Sequence, residues 1–148
     1  MKTVIKFRIL RDGAKAPAYA TDGSAGADLS SAAPAPVTVP AGGRALIPTG
    51  IAAECADSGV ALMIYARSGL ASKHGIALAN GVGVVDSDYR GEICVALVNL
   101  SDEDYTVMPG ERIAQLVAEP VIRAEFVKTE SLGDTARGGG GFGSTGTV

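Results

Sequence analysis

Hydrophobic residues in this chain occur in short runs separated by Gly, Pro, Asn or Asp at intervals of roughly 8 to 12 residues. Between residues 2 and 10, apolar side chains alternate with lysine and arginine, which is the period of a β-strand. The pattern predicts clear strands at residues 2–10, 37–39, 44–51, 60–65, 76–79, 92–99, 105–107, 112–119 and 124–127. Strands this short and numerous favour an all-β sandwich, jelly roll or barrel over an α/β fold.

Residues 67–75 break this pattern and predict a short helix. Ser68 stands where an N-cap residue is expected, and Gly75 stands where a helix commonly ends. Arg67 and Ser68, beside the free N–H groups of the first turn, would form an anion site. The alternative is a capped surface helix with an incidental arginine.

The segment from Asn80 to residue 92 carries the sharpest chemical signal. Asn80-Gly81 is a preferred tight-turn pair and predicts a hairpin with a site at its mouth. Asp86 directly follows two valines, and partial desolvation there would raise its basicity so that it takes a proton from water. Tyr89 is placed to pack on a sugar or a base. The alternative is an acidic hairpin tip whose charges form surface ion pairs.

Two further polar residues lie in strand-like segments. Gln115 would share a strand face with Ile113 and Val117, and a buried amide needs hydrogen-bond partners. It either satisfies neighbouring backbone or points into a polar cleft. Asp28 lies at the beginning of a predicted strand, where a turn aspartate is the simpler interpretation.

A glycine-rich stretch near the C-terminus combines the groups that would hold a phosphorylated aromatic ligand. Arg137 and the hydroxyls of Ser144 and Thr145 suit phosphate oxygens, and Phe142 offers a flat apolar face. We therefore interpret this stretch as a lid. A flexible Gly/Ser tail is the alternative.

Composition narrows the class of protein. The 148 residues suit one domain, and 47% of them are hydrophobic, which is more apolar material than a monomer of this size needs to hide and indicates an oligomer. A net charge of -3 without a basic stripe argues against binding to nucleic acid or to an acidic membrane surface. No signal peptide or membrane span is evident, so we expect a cytoplasmic protein with Cys55 and Cys94 as buried thiols.

Five segments, in this order and spacing, closely resemble the five motifs of the trimeric dUTP pyrophosphatases (dUTPases). The resemblance extends from Ala25 to Thr147. The matching segments are residues 25–29 (AGADL), 67–71 (RSGLA), 83–92 (GVVDSDYRGE), 110–116 (GERIAQL) and 137–146 (RGGGGFGSTG).

The resemblance implies a jelly-roll-like (β-clip) barrel with one short helix, assembled as a homotrimer whose C-terminal arms are exchanged between subunits. Residues 1–127 would form the barrel and residues 128–148 the arm that carries the lid. Three active sites would lie at the subunit interfaces. Departures from the family pattern are small: Ala66 replaces a frequent proline, and the lone His74 is interpreted as structural.

The resemblance also implies the reaction, which is Mg²⁺-assisted hydrolysis of dUTP to dUMP and pyrophosphate. Asp86 would be the general base, Gln115 and Ser68 would position the water and the phosphates, and Asp28 would act on the metal through its water shell. The residues implied in substrate binding are Arg67, Ser68, Gly69, Asn80, Gly83, Val84, Val85, Asp86, Tyr89, Cys94, Gln115, Arg137, Phe142, Gly143, Ser144 and Thr145.

Three other interpretations are kept beside this one. The dCTP deaminases share the fold and assembly, but the arrangement of catalytic residues they need is not found. A regulatory nucleotide-binding trimer without turnover would not need an intact Asp86. A dinucleotide-binding protein is suggested by the spacing of Gly138, Gly140 and Gly143, but the strand–turn–helix context is missing.

Overall fold

The computed structural model of the chain describes residues 3–141. Within that range the chain forms short strands and one helix, so the predicted all-β class with a single short helix is confirmed. The elements are β1 Ile5–Ile9, β2 Ala18–Tyr19, β3 Ala27–Ser30, β4 Val37–Val39, β5 Arg44–Pro48, β6 Ile51–Cys55, β7 Val60–Ala66, α1 Ser68–His74, β8 Ile76–Leu78, β9 Gly83–Val85, β10 Cys94–Asn99, β11 Tyr105–Val107 and β12 Arg112–Pro120.

The strands of the described residues form four antiparallel sheets around one apolar core. The largest sheet has the order β2-β3-β12-β7-β9, a second has the order β5-β10-β8, and β1-β6 and β4-β11 are two-stranded. Alternate residues of the strands point inward, and Leu29, Ile47, Leu62, Val95 and Ile113 are almost completely buried. The described part of the chain contains no helix long and apolar enough to cross a bilayer.

A bulge in β12 changes which residues share a face. The register against β3 shifts between Arg112 and Ala114, and both Ile113 and Ala114 are buried, as expected when one extra residue enters a strand. The prediction that Gln115 shares a face with Ile113 is therefore wrong. Gln115 lies between Asp28 of β3 and Tyr65 of β7 in the ladder, and it is half-buried.

Two of the predicted strands differ from the observed elements. The run at 44–51 is interrupted after β5 and continues as β6, which pairs with β1 instead. The strand predicted at 124–127 does not form. The Val121 amide donates to the Gly59 carbonyl at 2.8 Å, and beyond it Ile122 and Phe126 are 98% and 96% exposed. In a single chain this segment has no apolar surface to pack against, so its pattern is not enough to make a strand.

The predicted Asn80-Gly81 hairpin is also wrong in its pairing. β8 pairs with β10 and β9 pairs with β7, so this turn carries the chain from one sheet to another. The short helix forms as predicted, but Arg67 rather than Ser68 is its N-cap. It ends at Gly75, whose amide donates to the Ala71 carbonyl at 3.1 Å. The ring of His74 packs against Tyr105 with 4.9 Å between centroids, which fits its structural interpretation.

Candidate functional site

The crossing of the chain between the two sheets leaves a cavity of about 350 Å³, which we call the β9 pocket. It contains seven of the residues predicted for the site, from strand β9, the turn before it, the loop after it and the first residue of β10. Its lining residues are Leu46, Ile64, Asn80, Gly83, Val84, Val85, Asp86, Tyr89, Glu92, Ile93 and Cys94. The structure therefore brings together side chains from Leu46 to Cys94, which are 48 positions apart in the sequence.

Two close contacts of the main chain shape the β9 pocket. A Cβ atom at Gly83 would lie 2.9 Å from the Cβ of Ile64, so β9 lies nearer to β7 than another residue would allow. A Cβ atom at Gly91 would lie 2.3 Å from the Tyr89 hydroxyl oxygen. That hydroxyl donates to the Glu92 carbonyl at 3.0 Å, which fixes the tyrosine ring at the rim.

The carboxylates of the β9 pocket have different environments. Asp86 follows the end of β9 and is exposed, so the desolvation predicted for it is not provided by a single chain. Glu92 is half-buried; its carboxylate accepts a hydrogen bond from the Gly50 amide at 2.7 Å and pairs with Arg11. Sequence reasoning treated Glu92 as a surface ion pair and missed its place in the pocket wall. Its contact with Gly50 joins residues 42 positions apart in the chain, so no local pattern signals that place.

Cys94 was predicted as a buried thiol but is half-buried at the β9 pocket, whereas Cys55 is buried as predicted. Burial raises the pKa of the Cys94 thiol, and the nearby carboxylate of Glu92 raises it further. A thiol with a raised pKa stays protonated at neutral pH and is a poor nucleophile. Cys94 therefore lines the pocket without supplying a nucleophile.

A second cavity, of about 570 Å³, lies beside β3 and the beginning of β12, and we call it the Asp28 cavity. Its lining residues are Lys15, Ala16, Ala18, Tyr19, Ala20, Asp28, Ser30, Arg67, Gly110, Glu111 and Arg112. It shares no lining residue with the β9 pocket. The candidate site of a single chain is thus divided between two places.

Asp28 is bound by two arginines at the wall of the Asp28 cavity. Its Oδ1 accepts from Arg67 Nε at 3.0 Å, and its Oδ2 accepts from Arg112 Nη1 at 3.0 Å. Arg67 Nη1 also donates to the Arg112 carbonyl at 3.4 Å. Asp28 is 8% exposed, so these charge-assisted contacts replace the water it loses on burial. Sequence reasoning quoted Arg112 within a motif but assigned it no function.

Lys15 is a third cation at this cavity that the sequence did not indicate. Its Nζ donates to the Gly110 carbonyl at 2.9 Å. Glu111 also lines the cavity, but its carboxylate accepts from the Tyr105 hydroxyl and from the Met108 amide. Burial and this contact with Glu111 raise the pKa of Tyr105 to about 12, so its hydroxyl remains a donor at neutral pH.

The remaining predicted residues of the folded barrel lie outside both cavities. Ser68 and Gly69 are exposed in the first turn of α1, directly after Arg67. Gln115 packs against the backbone of Gly26, where an added Cβ would lie 3.0 Å from its own Cβ. Arg67, directly after β7, and Gln115, in β12, thus lie near Asp28 in the large sheet.

The predicted lid is only partly within the described residues. Arg137 is exposed, and its Nε donates to the Gly140 carbonyl at 3.0 Å within a local turn. It lines neither cavity. Phe142, Gly143, Ser144 and Thr145 lie outside the described residues.

Residues 3–141 hold no cluster of three or more His, Cys, Asp or Glu side chains that would bind a metal ion. Mg²⁺ binds proteins through one or two carboxylates while keeping several waters and taking phosphate oxygens from its substrate. Asp28 is the carboxylate that the resemblance assigns to this mode, and the arginines bound to it, Arg67 and Arg112, suit the phosphate oxygens that would be the main donors.

The fold is an antiparallel β-barrel. It has a pocket shaped by the main chain next to a carboxylate, and a separate cavity lined by cations. These are features of a protein that binds and hydrolyses a small anionic ligand. The model of the dUTPase family matches residues 12–146. The chain belongs to the dUTPase family.

Similarity to known relatives and to solved structures supports the same family. The chain is 54% identical to the deoxyuridine 5'-triphosphate nucleotidohydrolase of Desulfitobacterium hafniense strain Y51 over 132 residues, covering 89% of this chain and 87% of that protein. It is 47% identical to that of Aeromonas hydrophila over 150 residues, covering 99% of each. The Staphylococcus bacteriophage 80alpha dUTPase with dUPNHPP superposes with a TM-score of 0.88 at 25% identity, covering 99% and 100% of the two chains. The jelly-roll dUTPase fold is confirmed.

Proposed function

We propose that this protein hydrolyses dUTP to dUMP and pyrophosphate through attack of water on the α-phosphorus. The observation that carries the proposal is the β9 pocket, which gathers the predicted base- and sugar-binding residues next to Asp86. Two sets of comparisons support it. The relatives are named deoxyuridine 5'-triphosphate nucleotidohydrolases, and the phage neighbour was solved with the nucleotide dUPNHPP.

In this proposal the β9 pocket binds the nucleoside and selects its base and sugar. Asn80 and the main chain of β9 and Cys94 pair with the polar edge of uracil, so cytosine would leave a donor facing a donor. Each unpaired buried group costs on the order of 1 to 3 kcal/mol. The main chain lies close to Ile64 at Gly83, and this narrowness rejects the thymine methyl group. Tyr89 packs on the deoxyribose and excludes a 2'-hydroxyl.

Asp86 is the proposed general base, because it is the carboxylate at the open end of the β9 pocket and water reaches it. It takes a proton from water as the water attacks the α-phosphorus. A nucleotide and a second subunit covering this residue would supply the desolvation that a single chain does not, which would raise its basicity.

Arg67 and Ser68 hold the phosphates with Gly69, and Gln115 positions the attacking water. Support comes from the exposure of Ser68 and Gly69 beside Arg67 and from the place of Gln115 next to Asp28 in the sheet. Bound Mg²⁺ would neutralise charge on the triphosphate, and Asp28 is the carboxylate that the family resemblance assigns to its water shell.

We further propose a homotrimer in which residues 128–148 form an arm that closes the site of another subunit. The apolar residues that follow the last strand are exposed, with Ile122 at 98% and Leu132 at 86%, which is surface that a neighbour would cover. The two cavities and Arg137 are also separate within one chain. Arg137, Phe142, Gly143, Ser144 and Thr145 would then complete the phosphate and base contacts.

Such an enzyme keeps uracil out of DNA and supplies dUMP for thymidylate synthesis, and we place it in the cytoplasm with the nucleotide pools. The test is to incubate dUTP, dCTP, dTTP and UTP separately, with and without Mg²⁺, and to identify the products. We expect dUMP and pyrophosphate from dUTP alone. Deamination of dCTP would assign the protein to the deaminases, and tight dUTP binding without any product would indicate a regulatory trimer.

A further inference from the structure

Glu92 is a half-buried carboxylate in the wall of the β9 pocket that the proposed reaction does not use. Its side chain is 19% exposed, and it follows Gly91 near the end of the loop that joins β9 to β10. Its Oε1 accepts a hydrogen bond from the Gly50 amide at 2.7 Å, and its Oε2 pairs with Nη2 of Arg11. Both carboxylate oxygens are therefore bonded to segments that are distant in the sequence.

The turn at Gly50 is a tightly packed anchor. Gly50 lies between β5 and β6 in the left-handed backbone region, with φ at 69°, and is buried. A Cβ atom there would lie 2.5 Å from the Cβ of Ala14 and 3.1 Å from that of Ala32, so other parts of the chain pack closely against the turn. The Gly50 carbonyl accepts from the Leu10 amide at 2.8 Å. The turn thus gives the Glu92 carboxylate a fixed point of attachment.

The main chain after Glu92 is bonded to the same turn. The Ile93 amide donates to the Ile51 carbonyl at 2.8 Å, and the Thr49 amide donates to the Ile93 carbonyl at 3.3 Å. The Thr49 hydroxyl donates to that carbonyl as well, at 2.6 Å. β10 then continues in register with β5. From Glu92 onward the chain is therefore held in place, and the loop before it extends from this base.

Tyr89 depends on this base for its position. Its hydroxyl donates to the Glu92 carbonyl at 3.0 Å, and its amide donates to the Asp86 carbonyl at 3.1 Å. The ring proposed to contact the sugar thus lies on a short loop, residues 86–92, whose last residue is Glu92. A shift of Glu92 would move the ring at the rim, whereas β9 would stay in place because it is paired with β7.

Arg11 balances the charge of Glu92. Two carboxylates, Asp86 and Glu92, line the β9 pocket, and the described lining residues include no cation. An unpaired carboxylate there would repel the phosphates of a nucleotide. Because Arg11 pairs with Glu92, the carboxylate can anchor the loop while adding little negative charge beside an anionic substrate.

We propose that Glu92 is a positioning residue: its carboxylate fastens loop 86–92 to the Gly50 turn and thereby holds Tyr89 where the ring excludes a ribose 2'-hydroxyl. The inference rests on the proposed function, in which Tyr89 packs on the deoxyribose. A purely structural Glu92 predicts something different. Its loss would lower the thermal stability of the protein but leave the selectivity of the folded enzyme for dUTP over UTP unchanged.

The test compares kcat and KM for dUTP and UTP in full-chain variants, well below the unfolding temperature of each and with more enzyme for UTP. Glu92→Ala removes both contacts, Glu92→Gln keeps an oxygen that can accept from the Gly50 amide, and Arg11→Gln removes only the ion pair. Glu54→Gln is the matched control. Glu54 also pairs with a cation, Lys6, but at the surface of β6 and outside the lining of the β9 pocket.

We expect Glu92→Ala to lower the ratio of kcat/KM for dUTP to that for UTP about tenfold, because the displaced ring no longer excludes the ribose. The KM of dUTP and the Kd of the non-hydrolysable probe α,β-imido-dUTP, measured by calorimetry, should rise several-fold. The kcat for dUTP should change less, since Asp86 directly follows β9. Glu92→Gln should retain most of the ratio, Arg11→Gln should give an intermediate value, and Glu54→Gln should leave the ratio unchanged.

A double-mutant cycle tests whether Glu92 acts through Tyr89. Tyr89→Phe removes the hydroxyl that donates to the Glu92 carbonyl, so the ring is no longer tied to that residue. Glu92→Ala/Tyr89→Phe should therefore lose little more selectivity than the more affected single variant, because residues that act through one contact are not additive.

A folded Glu92→Ala variant with the selectivity of the unmodified protein would overturn the inference, and so would additive effects in the double variant. Neither result would touch the proposed function, which fails only if the unmodified protein does not hydrolyse dUTP. Thermal unfolding of every variant is followed in parallel, because the buried Gly50 amide loses its partner in Glu92→Ala. If that variant does not fold, Arg11→Gln, which changes an exposed side chain, carries the test, and an unchanged ratio there would overturn the inference.

Discussion

The β9 pocket and the Asp28 cavity are built in opposite ways. In the first, the main chain sets the shape, since β9 lies against Ile64 and Tyr89 lies over Gly91. In the second, ionised side chains from β3, from the N-cap of α1 and from β12 set the charge, and the Asp28 carboxylate holds two of them. A pocket made by backbone discriminates by shape and hydrogen-bond pattern, whereas a cavity made by charges contributes affinity for an anion. A nucleotide needs both.

The largest expected effect comes from the carboxylate that faces the β9 pocket. Asp86→Asn keeps the size of the side chain but removes the proposed base, so turnover should fall by roughly 10² to 10⁴. Binding of α,β-imido-dUTP should stay within a few-fold because the pocket shape is unchanged. Asp88→Asn, on the same loop but outside the pocket lining, is the control. Near-normal turnover in Asp86→Asn would remove this residue from the base role.

The second prediction tests whether the arm, residues 128–148, acts together with the β9 pocket and the Asp28 cavity. Deleting residues 137–148 should lower kcat/KM at least about 100-fold, since misplaced reacting groups lose that much. The assembly and its thermal unfolding should be preserved, as light scattering and calorimetry would measure. A chain lacking only residues 146–148 keeps the predicted contacts and serves as control. Full activity of the chain that lacks residues 137–148 would contradict the interpretation of this segment as a lid.

A smaller effect tests the backbone-made shape of the β9 pocket. Gly91→Ala places a methyl group where the Tyr89 hydroxyl now lies, so the ring must move from the rim. We expect the preference for dUTP over UTP to fall about tenfold, measured as the ratio of the two kcat/KM values. At Gly133, by contrast, an added Cβ meets no atom within 4 Å, so Gly133→Ala should leave the ratio unchanged. An unaltered ratio in Gly91→Ala would deny Tyr89 its role in sugar selection.

The smallest expected effect tests whether the Asp28 cavity, unlike the β9 pocket, binds its ligand through charge. Raising the salt concentration from about 0.05 M to about 0.3 M shortens the screening length roughly from 14 to 6 Å. The Kd of α,β-imido-dUTP should then rise several-fold, because the arginines of the Asp28 cavity attract the phosphates. Binding of deoxyuridine, which has no charge, should hardly change. Equal salt dependence of the two ligands would mean that the cavity does not contribute through its charge.

Local sequence patterns predicted those strands and helices that depend mainly on residues close together in the chain. The alternation in residues 105–107 and the short helix ending at Gly75 were found where expected. The strand predicted at residues 124–127 was wrong because that pattern needs a surface to pack against, and the single chain offers none. The pairing of β8 and β9 was missed because a turn signal fixes a change of direction but not the partner of each strand.

The sequence by itself determined the all-β class and the segments that carry the chemistry, including seven residues of the β9 pocket. Strand period is a local property, and the motifs that resemble those of the dUTPases are present in the chain itself. Only the tertiary structure decided that Arg112 shares Asp28 with Arg67 and that Glu92 and Lys15 line the cavities. Such contacts join residues far apart in the chain, and their geometry depends on strand order and on the bulge at the beginning of β12. No local pattern encodes that register, since it arises when the sheets pack around one core.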